Sequence, residues 1–169
     1  MPYDFGIDVW SIGCTLFELY TGKILFTGRS NNQMLRAIME CRGKFSHKIL
    51  RKAQFAAYHF DDLLNFRSVE KDKLTGKVSF FKMRRRWRVD YQPADMFFEQ
   101  DVVRILNFTR PTRDLKQRLM ANVKGMADAE IKELNLFVDL LDRCLNLNPE
   151  KRCTPAEALK HPFIIRTKA

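Results

Sequence analysis

Asp8-Val9-Trp10-Ser11-Ile12-Gly13-Cys14-Thr15-Leu16-Phe17-Glu18-Leu19-Tyr20 is the stretch that decides the fold of this chain. Glu18 is its only charge after Asp8, which predicts a helix buried on nearly every side, and the stretch is too short to span a membrane. Such a helix needs a domain wrapped around it, and only seven residues precede it. The expectation is that part of its cover lies outside this sequence. Gly13 costs a helix interior about 1 kcal/mol relative to Ala, so it marks close approach by another element. Trp10 lies three residues earlier on the same face. Asp8 stands at the predicted helix start, where a carboxylate can accept backbone N–H bonds and is favoured by the helix dipole.

The pattern Asp8-x-Trp10-Ser11-x-Gly13-Cys14, continued by Glu18-Leu19-x-Thr21-Gly22 and Leu25-Phe26-x-Gly28, resembles the central helix of the C-lobe of eukaryotic protein kinases. Far downstream, Leu145-x-Leu147-Asn148-Pro149-Glu150-Lys151-Arg152 and His161-Pro162-Phe163 resemble the end of the same domain, with Asn148 where the family usually has Asp. Thr21-Gly22-Lys23-Ile24-Leu25-Phe26, Asn31-Asn32-Gln33-Met34-Leu35, Gly43-Lys44-Phe45, His59-Phe60-Asp61 and Pro111-Thr112-Arg113-Asp114-Leu115 narrow the likeness. They are similar to the spliceosome-associated pre-mRNA-processing kinases, a branch of the CMGC group that also holds the cyclin-dependent and dual-specificity kinases.

The resemblance implies a mainly α fold, the helical C-terminal lobe of a protein kinase, with residues 1–169 as a partial kinase domain. It gives structural roles to Asp8, Trp10, Gly13 and Arg152. In the family the residue matching Asp8 accepts hydrogen bonds from the catalytic-loop backbone, and the residue matching Arg152 pairs with the glutamate of an Ala-Pro-Glu motif. Neither partner occurs in this sequence. A buried ion without its partner costs about 3–5 kcal/mol, so both side chains are expected to become hydrated or to rearrange.

Asp4-Phe5-Gly6 spells the kinase metal-binding triad but leads straight into the helix that should follow the activation segment, so it is read as coincidence. Phosphoryl transfer requires a glycine-rich cover over the phosphates, a strand lysine paired with a helix glutamate, a catalytic aspartate and metal ligands. No Gly-x-Gly-x-x-Gly and no His-Arg-Asp is present, and His47, His59 and His161 lack a nucleophile–base arrangement. No catalytic, cofactor-binding or metal-binding residue is therefore assigned to this chain, and ATP and Mg²⁺ are expected only for a complete parent kinase.

With 46% hydrophobic residues over 169 positions, the chain can bury a single domain core. No apolar run is long enough to span a membrane and no secretory signal pattern opens the chain, which points to a soluble, intracellular protein. Cys14, Cys41, Cys144 and Cys153 are widely and irregularly spaced, which predicts reduced thiols rather than a zinc site. The net charge of +10 comes entirely from residues 42–118, with 19 Lys or Arg against 9 Asp or Glu. A basic surface of this kind suits acidic peptides, nucleic acid or phosphorylated partners, or is simply a solvated face.

Ser30 with Gln33 predicts a capping box opening a second helix striped by Met34, Leu35, Ile38 and Met39. Residues 44–67 lack a sustained period and suit a short helix plus irregular chain. Thr112 is expected to cap a short helix with Leu115, Leu119 and Met120, which Gly125 ends. Ile131, Leu134, Phe137, Val138, Leu141, Cys144 and Leu145 then follow helical spacing, with Asp139, Asp142 and Arg143 opposite. Thr154-Pro155-Ala156-Glu157 is a second capping box, with Pro at the first helical position.

Residues 78–100 interrupt the resemblance, because joining Thr75-Gly76-Lys77 to Asp101-Val102-Val103-Arg104 restores it. Within them Lys82, Arg84, Arg85, Arg86, Trp87 and Arg88 combine charge with a ring, as an RNA-contacting loop would. A translated retained intron fits the boundaries too, since Val78-Ser79 can encode a splice donor and Gln100 an acceptor; a solvated loop is a third reading. Met1, just before Pro2-Tyr3-Asp4, likewise reads as an internal methionine of a longer kinase.

Two functions follow. One is a C-lobe fragment of a serine/threonine kinase of the pre-mRNA-processing type, inactive alone. By resemblance its partners are the remainder of the kinase and spliceosomal or arginine/serine-rich proteins, in the nucleus. The other is a non-catalytic protein- or RNA-binding module using the basic middle segment.

Overall fold

The computed structural model describes residues 5–71 and 101–165. Helix α1 (Gly6–Thr21) is followed by α2 (Asn31–Arg42), the short helices α3 (His47–Lys52) and α4 (Ala56–His59), strands β1 (Phe66–Lys71) and β2 (Asp101–Leu106), α5 (Leu115–Leu119), α6 (Asp128–Cys144) and α7 (Pro155–Leu159). Single 3₁₀ turns at Met120–Asn122 and Pro149–Lys151 join the last helices. The mainly α expectation holds.

α1 and α6 cross at Gly13. A Cβ there would lie 3.0 Å from Leu145 Cδ2 and 3.1 Å from Cys144 Cβ, so the helices meet as the glycine foretold. Phe17, Phe26, Leu134, Phe137, Leu141 and Leu145 form the main core around this crossing. α1 is not buried on nearly every side, however. Val9, Gly13 and Phe17 make one buried stripe, while Ile12 is 55% and Leu19 76% exposed. Hydrophobicity all round made the helix look enclosed; among the described residues only the face toward α6 and the Phe26 segment is covered.

α2 starts as expected, with the Ser30 hydroxyl accepting from Gln33 N–H at 3.2 Å. The Gln33 amide oxygen instead takes the Arg29 N–H, one residue before the cap. The last turn of α2 holds the end of α6: Arg42 donates to the Leu145 carbonyl at 2.8 Å, to the Asp142 carbonyl at 3.2 Å and to the Asp142 carboxylate at 2.7 Å. A cation at a helix C-terminus satisfies carbonyls that have no intrahelical partner. α5 is capped by Asp114, which accepts from Gln117 N–H, and not by Thr112. The Thr112 N–H is already committed to the Glu40 carbonyl.

Residues 44–67 contain more order than their pattern promised. α3 and α4 lead into β1, which pairs antiparallel with β2 from Phe66↔Leu106 to Lys71↔Asp101. Buried Asn32 on α2 pins β1 by donating to the Arg67 carbonyl and accepting the Val69 N–H, both at 2.8 Å. A second core of Met39, Leu50, Phe60, Phe66 and Phe108 sits beneath the hairpin. The hairpin was invisible in the sequence because β1 is short and polar, and 72–100 separates it from β2.

The register places positions 71 and 101 side by side, so the segment between them leaves and re-enters at neighbouring points. Shortening a connection roughly fivefold is worth only about 1.4 kcal/mol of closure entropy. Deleting 78–100 is therefore expected to leave helical circular dichroism unchanged and the melting temperature unchanged or raised by no more than about 4 °C. A lost cooperative transition on deletion would contradict this.

Candidate functional site at the Arg152 junction

Arg152 closes the 3₁₀ turn after α6, and its guanidinium ties that turn to the start of α1. Nε and Nη2 donate to the Asn146 carbonyl at 3.1 and 3.0 Å, and Nη1 donates to the Gly6 carbonyl at 2.7 Å. The guanidinium also lies 5.1 Å from the centre of the Trp10 ring, a cation–π distance. Trp10 in turn stacks on Phe26, 5.6 Å apart and 12° from parallel. The expected rearrangement of Arg152 thus takes a definite form, with carbonyl oxygens and an indole face as its partners. Asn148 caps the same turn by accepting from Glu150 N–H at 3.1 Å. Its amide oxygen does there what an Asp carboxylate would do.

Asp8 does not cap α1. The helix begins at Gly6 with Phe5 in the cap position and no side-chain cap, leaving Asp8 in the first turn. Its carboxylate is exposed and unbound among the described residues, where only the helix dipole favours it. Of the four sequence-derived positions, Trp10 and Arg152 meet directly, Gly13 sets the crossing beside them, and Asp8 stands apart. Lys82, Arg84, Arg85, Arg86, Trp87 and Arg88 lie outside the described residues.

Sequence reasoning missed a second polar anchor. His161 is 4% exposed, and its Nδ1 accepts the Phe163 N–H at 3.2 Å. That leaves Nε2 protonated to donate to Asp139 Oδ2 at 2.8 Å. Arg143 reaches the same oxygen at 2.9 Å. Both ring nitrogens are occupied and no hydroxyl or thiol stands against them, so the pair fastens the C-terminal tail to α6. The Asp139 carboxyl lies below its ordinary 3.8, chiefly because of the His161 hydrogen bond and then that of Arg143, against partial desolvation. The signal was present in His161-Pro162-Phe163, but nothing in the pattern named the partner on α6.

Among the described residues no three of His, Cys, Asp and Glu converge to hold a metal ion. Phe5 and Gly6, the second and third letters of the Asp-Phe-Gly string, form the opening of α1.

The protein kinase domain family matches residues 1–164 of this chain. The chain belongs to the protein kinase family. It is 44% identical over 165 residues to serine/threonine-protein kinase prp4 of Schizosaccharomyces pombe, covering 98% of this chain and 30% of that protein. It is 40% identical over 162 residues to serine/threonine-protein kinase prpf4B of Dictyostelium discoideum, covering 96% of this chain and 17% of that protein. Dual specificity tyrosine-phosphorylation-regulated kinase 3 of Rattus norvegicus is 30% identical over 167 residues, 98% of this chain and 24% of that kinase. This kinase domain sequence thus spans less than a third of the length of these relatives, and the likeness to the pre-mRNA-processing serine/threonine kinases read from its motifs holds.

Two outcomes are expected at this junction. Arg152→Ala removes charge-assisted bonds to two half-buried carbonyls and destabilises by about 2 kcal/mol in denaturant titration, whereas Asp8→Ala stays within about 0.5 kcal/mol. Because the Asp139 carboxyl is depressed in the fold, its contribution is complete above its ordinary value of 3.8 and lost as pH falls below it. Asp139→Asn should therefore be less stable than wild type at pH 6, the two converging as pH falls progressively below 3.8 in pH-resolved urea melts.

Proposed function

We propose that this chain is the helical C-terminal lobe of a serine/threonine kinase of the pre-mRNA-processing type. The parent enzyme would transfer the γ-phosphoryl group of ATP, with Mg²⁺, to Ser or Thr of splicing proteins in the nucleus. Residues 1–169 constitute a partial kinase domain in which 78–100 is a basic insertion. The observation that carries this reading is the face of α1 turned away from α6: Ile12 and Leu19, with Phe5 at the cap, are exposed on a helix whose opposite face is packed into the core. Apolar surface of this extent on a protein kinase sequence marks a surface for another part of the enzyme. The remainder of the kinase domain is its first partner, and arginine/serine-rich or spliceosomal proteins are partners of the assembled enzyme. No helix among the described residues is long and apolar enough to cross a membrane.

By this reading the chain binds no Mg·ATP and transfers no phosphate alone, because the phosphate-cradling parts are supplied elsewhere in the domain. Calorimetric titration with Mg·ATP is expected to give no saturable heat, and a radiolabel assay no transfer to a serine-rich substrate. Micromolar binding would overturn it and favour a self-sufficient protein. Co-expression with the preceding half of a related kinase is expected to convert an associating chain into a monodisperse one by light scattering.

A further inference from the structure

We propose that Cys144 and Cys153 form a site of oxidative modification, closing to an intramolecular disulfide that staples the turn after α6 to the end of that helix. Their sulfurs lie 3.6 Å apart, in direct contact, nine residues apart in sequence. Backbone geometry holds them there, since the Cys153 N–H donates to the Arg143 carbonyl at 3.3 Å. A disulfide needs a sulfur separation near 2.05 Å. Rotation about the two Cα–Cβ bonds is the motion that changes this separation.

The two thiols are unequal. Cys144 is 2% exposed and packs with Val9 and Leu140, while Cys153 is half-buried at the margin of the same cluster. Burial first, then the neighbouring Cys153 thiol, push the Cys144 thiol up to about 12. Cys153 is thus the sulfur that an oxidant reaches, and Cys144 the one that resolves. With hydrogen peroxide as oxidant, the Cys153 thiolate attacks one peroxide oxygen, the O–O bond breaks, and hydroxide leaves and is protonated to water. Cys153 becomes a sulfenic acid, its sulfur oxidised by two electrons as the peroxide is reduced by two. Cys144 then attacks that sulfur, the S–O bond breaks, and the departing hydroxide takes the Cys144 proton to give a second water. Two thiols and one peroxide become one disulfide and two waters.

Arg152 makes the location consequential. It sits next to Cys153 and carries the bonds to Gly6 and Asn146, so the staple fixes the residue that joins this turn to α1. The Cys14 and Cys41 thiols belong to the main core.

The test is disulfide mapping on the full chain. The native protein is oxidised with stoichiometric hydrogen peroxide, alkylated, and digested with trypsin, which cuts after Arg143, Lys151, Arg152 and Lys160 and so puts the two cysteines on separate peptides. The expected product is peptide 144–151 linked to peptide 153–160, about 2 Da lighter than the two together, cleaved by dithiothreitol. The alkylatable thiols fall from four to two. In Cys144→Ser the resolving sulfur is gone, and dimedone labelling of Cys153 is expected to rise at least tenfold over wild type. Alkylation of both Cys144 and Cys153 after oxidation of the wild-type chain would overturn the proposal, as would links joining separate chains on a non-reducing gel. Because the wild-type map stands alone, the result does not depend on the variant folding.

Discussion

The α1–α6 crossing is the constraint on which the rest of the structure depends. At Gly13 the two helices approach until a single methyl group would press on Leu145 and Cys144, and the main core is arranged around that contact. Dense packing of this kind has little tolerance for added volume. Polar anchors then hold the crossing from its margins: Arg42 takes the last carbonyls of α6 from the α2 side, and Arg152 takes those of Gly6 and Asn146 from the other. Each guanidinium is fixed by several oxygens in defined directions, which a lysine could not reproduce. The geometry of the crossing is therefore set by apolar contact and its register by arginine.

What the sequence revealed was mostly local. The Thr154–Glu157 box forms in full, with the Glu157 carboxylate accepting from Thr154 N–H and the Thr154 hydroxyl accepting from Glu157 N–H. The apolar stripe of α6 buries Leu134, Phe137, Leu141 and Cys144 as its spacing required. These features depend on residues three or four apart, within reach of a periodicity argument. Asp8 misled because the same residue type serves both a cap and a first turn, and helix ends slide by a turn without changing the pattern. The Ser30 box formed only in half, since the Gln33 amide oxygen accepts from the Arg29 N–H, one residue before the cap.

Contacts between distant segments were not legible. Asn32 holds the backbone of β1 more than thirty residues away, and Asp139 meets His161 across 22 positions. In each case one polar side chain gave no sign of its partner, because either could have faced water. Family resemblance supplied the order of the helices but not these pairings. Arg152 is the clearest case: the likeness assigned it an ionic partner, and the fold satisfies it with carbonyls and an indole ring. A guanidinium has five donors and a flat face, so several different environments can accommodate it.

The hairpin register bears on how this domain acquires new sequence. Lys71 and Asp101 face each other across two strands, and both lie beyond the contacts by which Asn32 and Phe66 hold the sheet to the helices. Material added between them enters and leaves at one end of the sheet. A gain or loss of residues there, whatever its genetic origin, changes the cost of closing the loop only logarithmically, so selection for stability weighs lightly on its length. Such a position lets a charged segment be tried, kept or discarded on its interactions alone, while the helices beneath continue to be judged on packing.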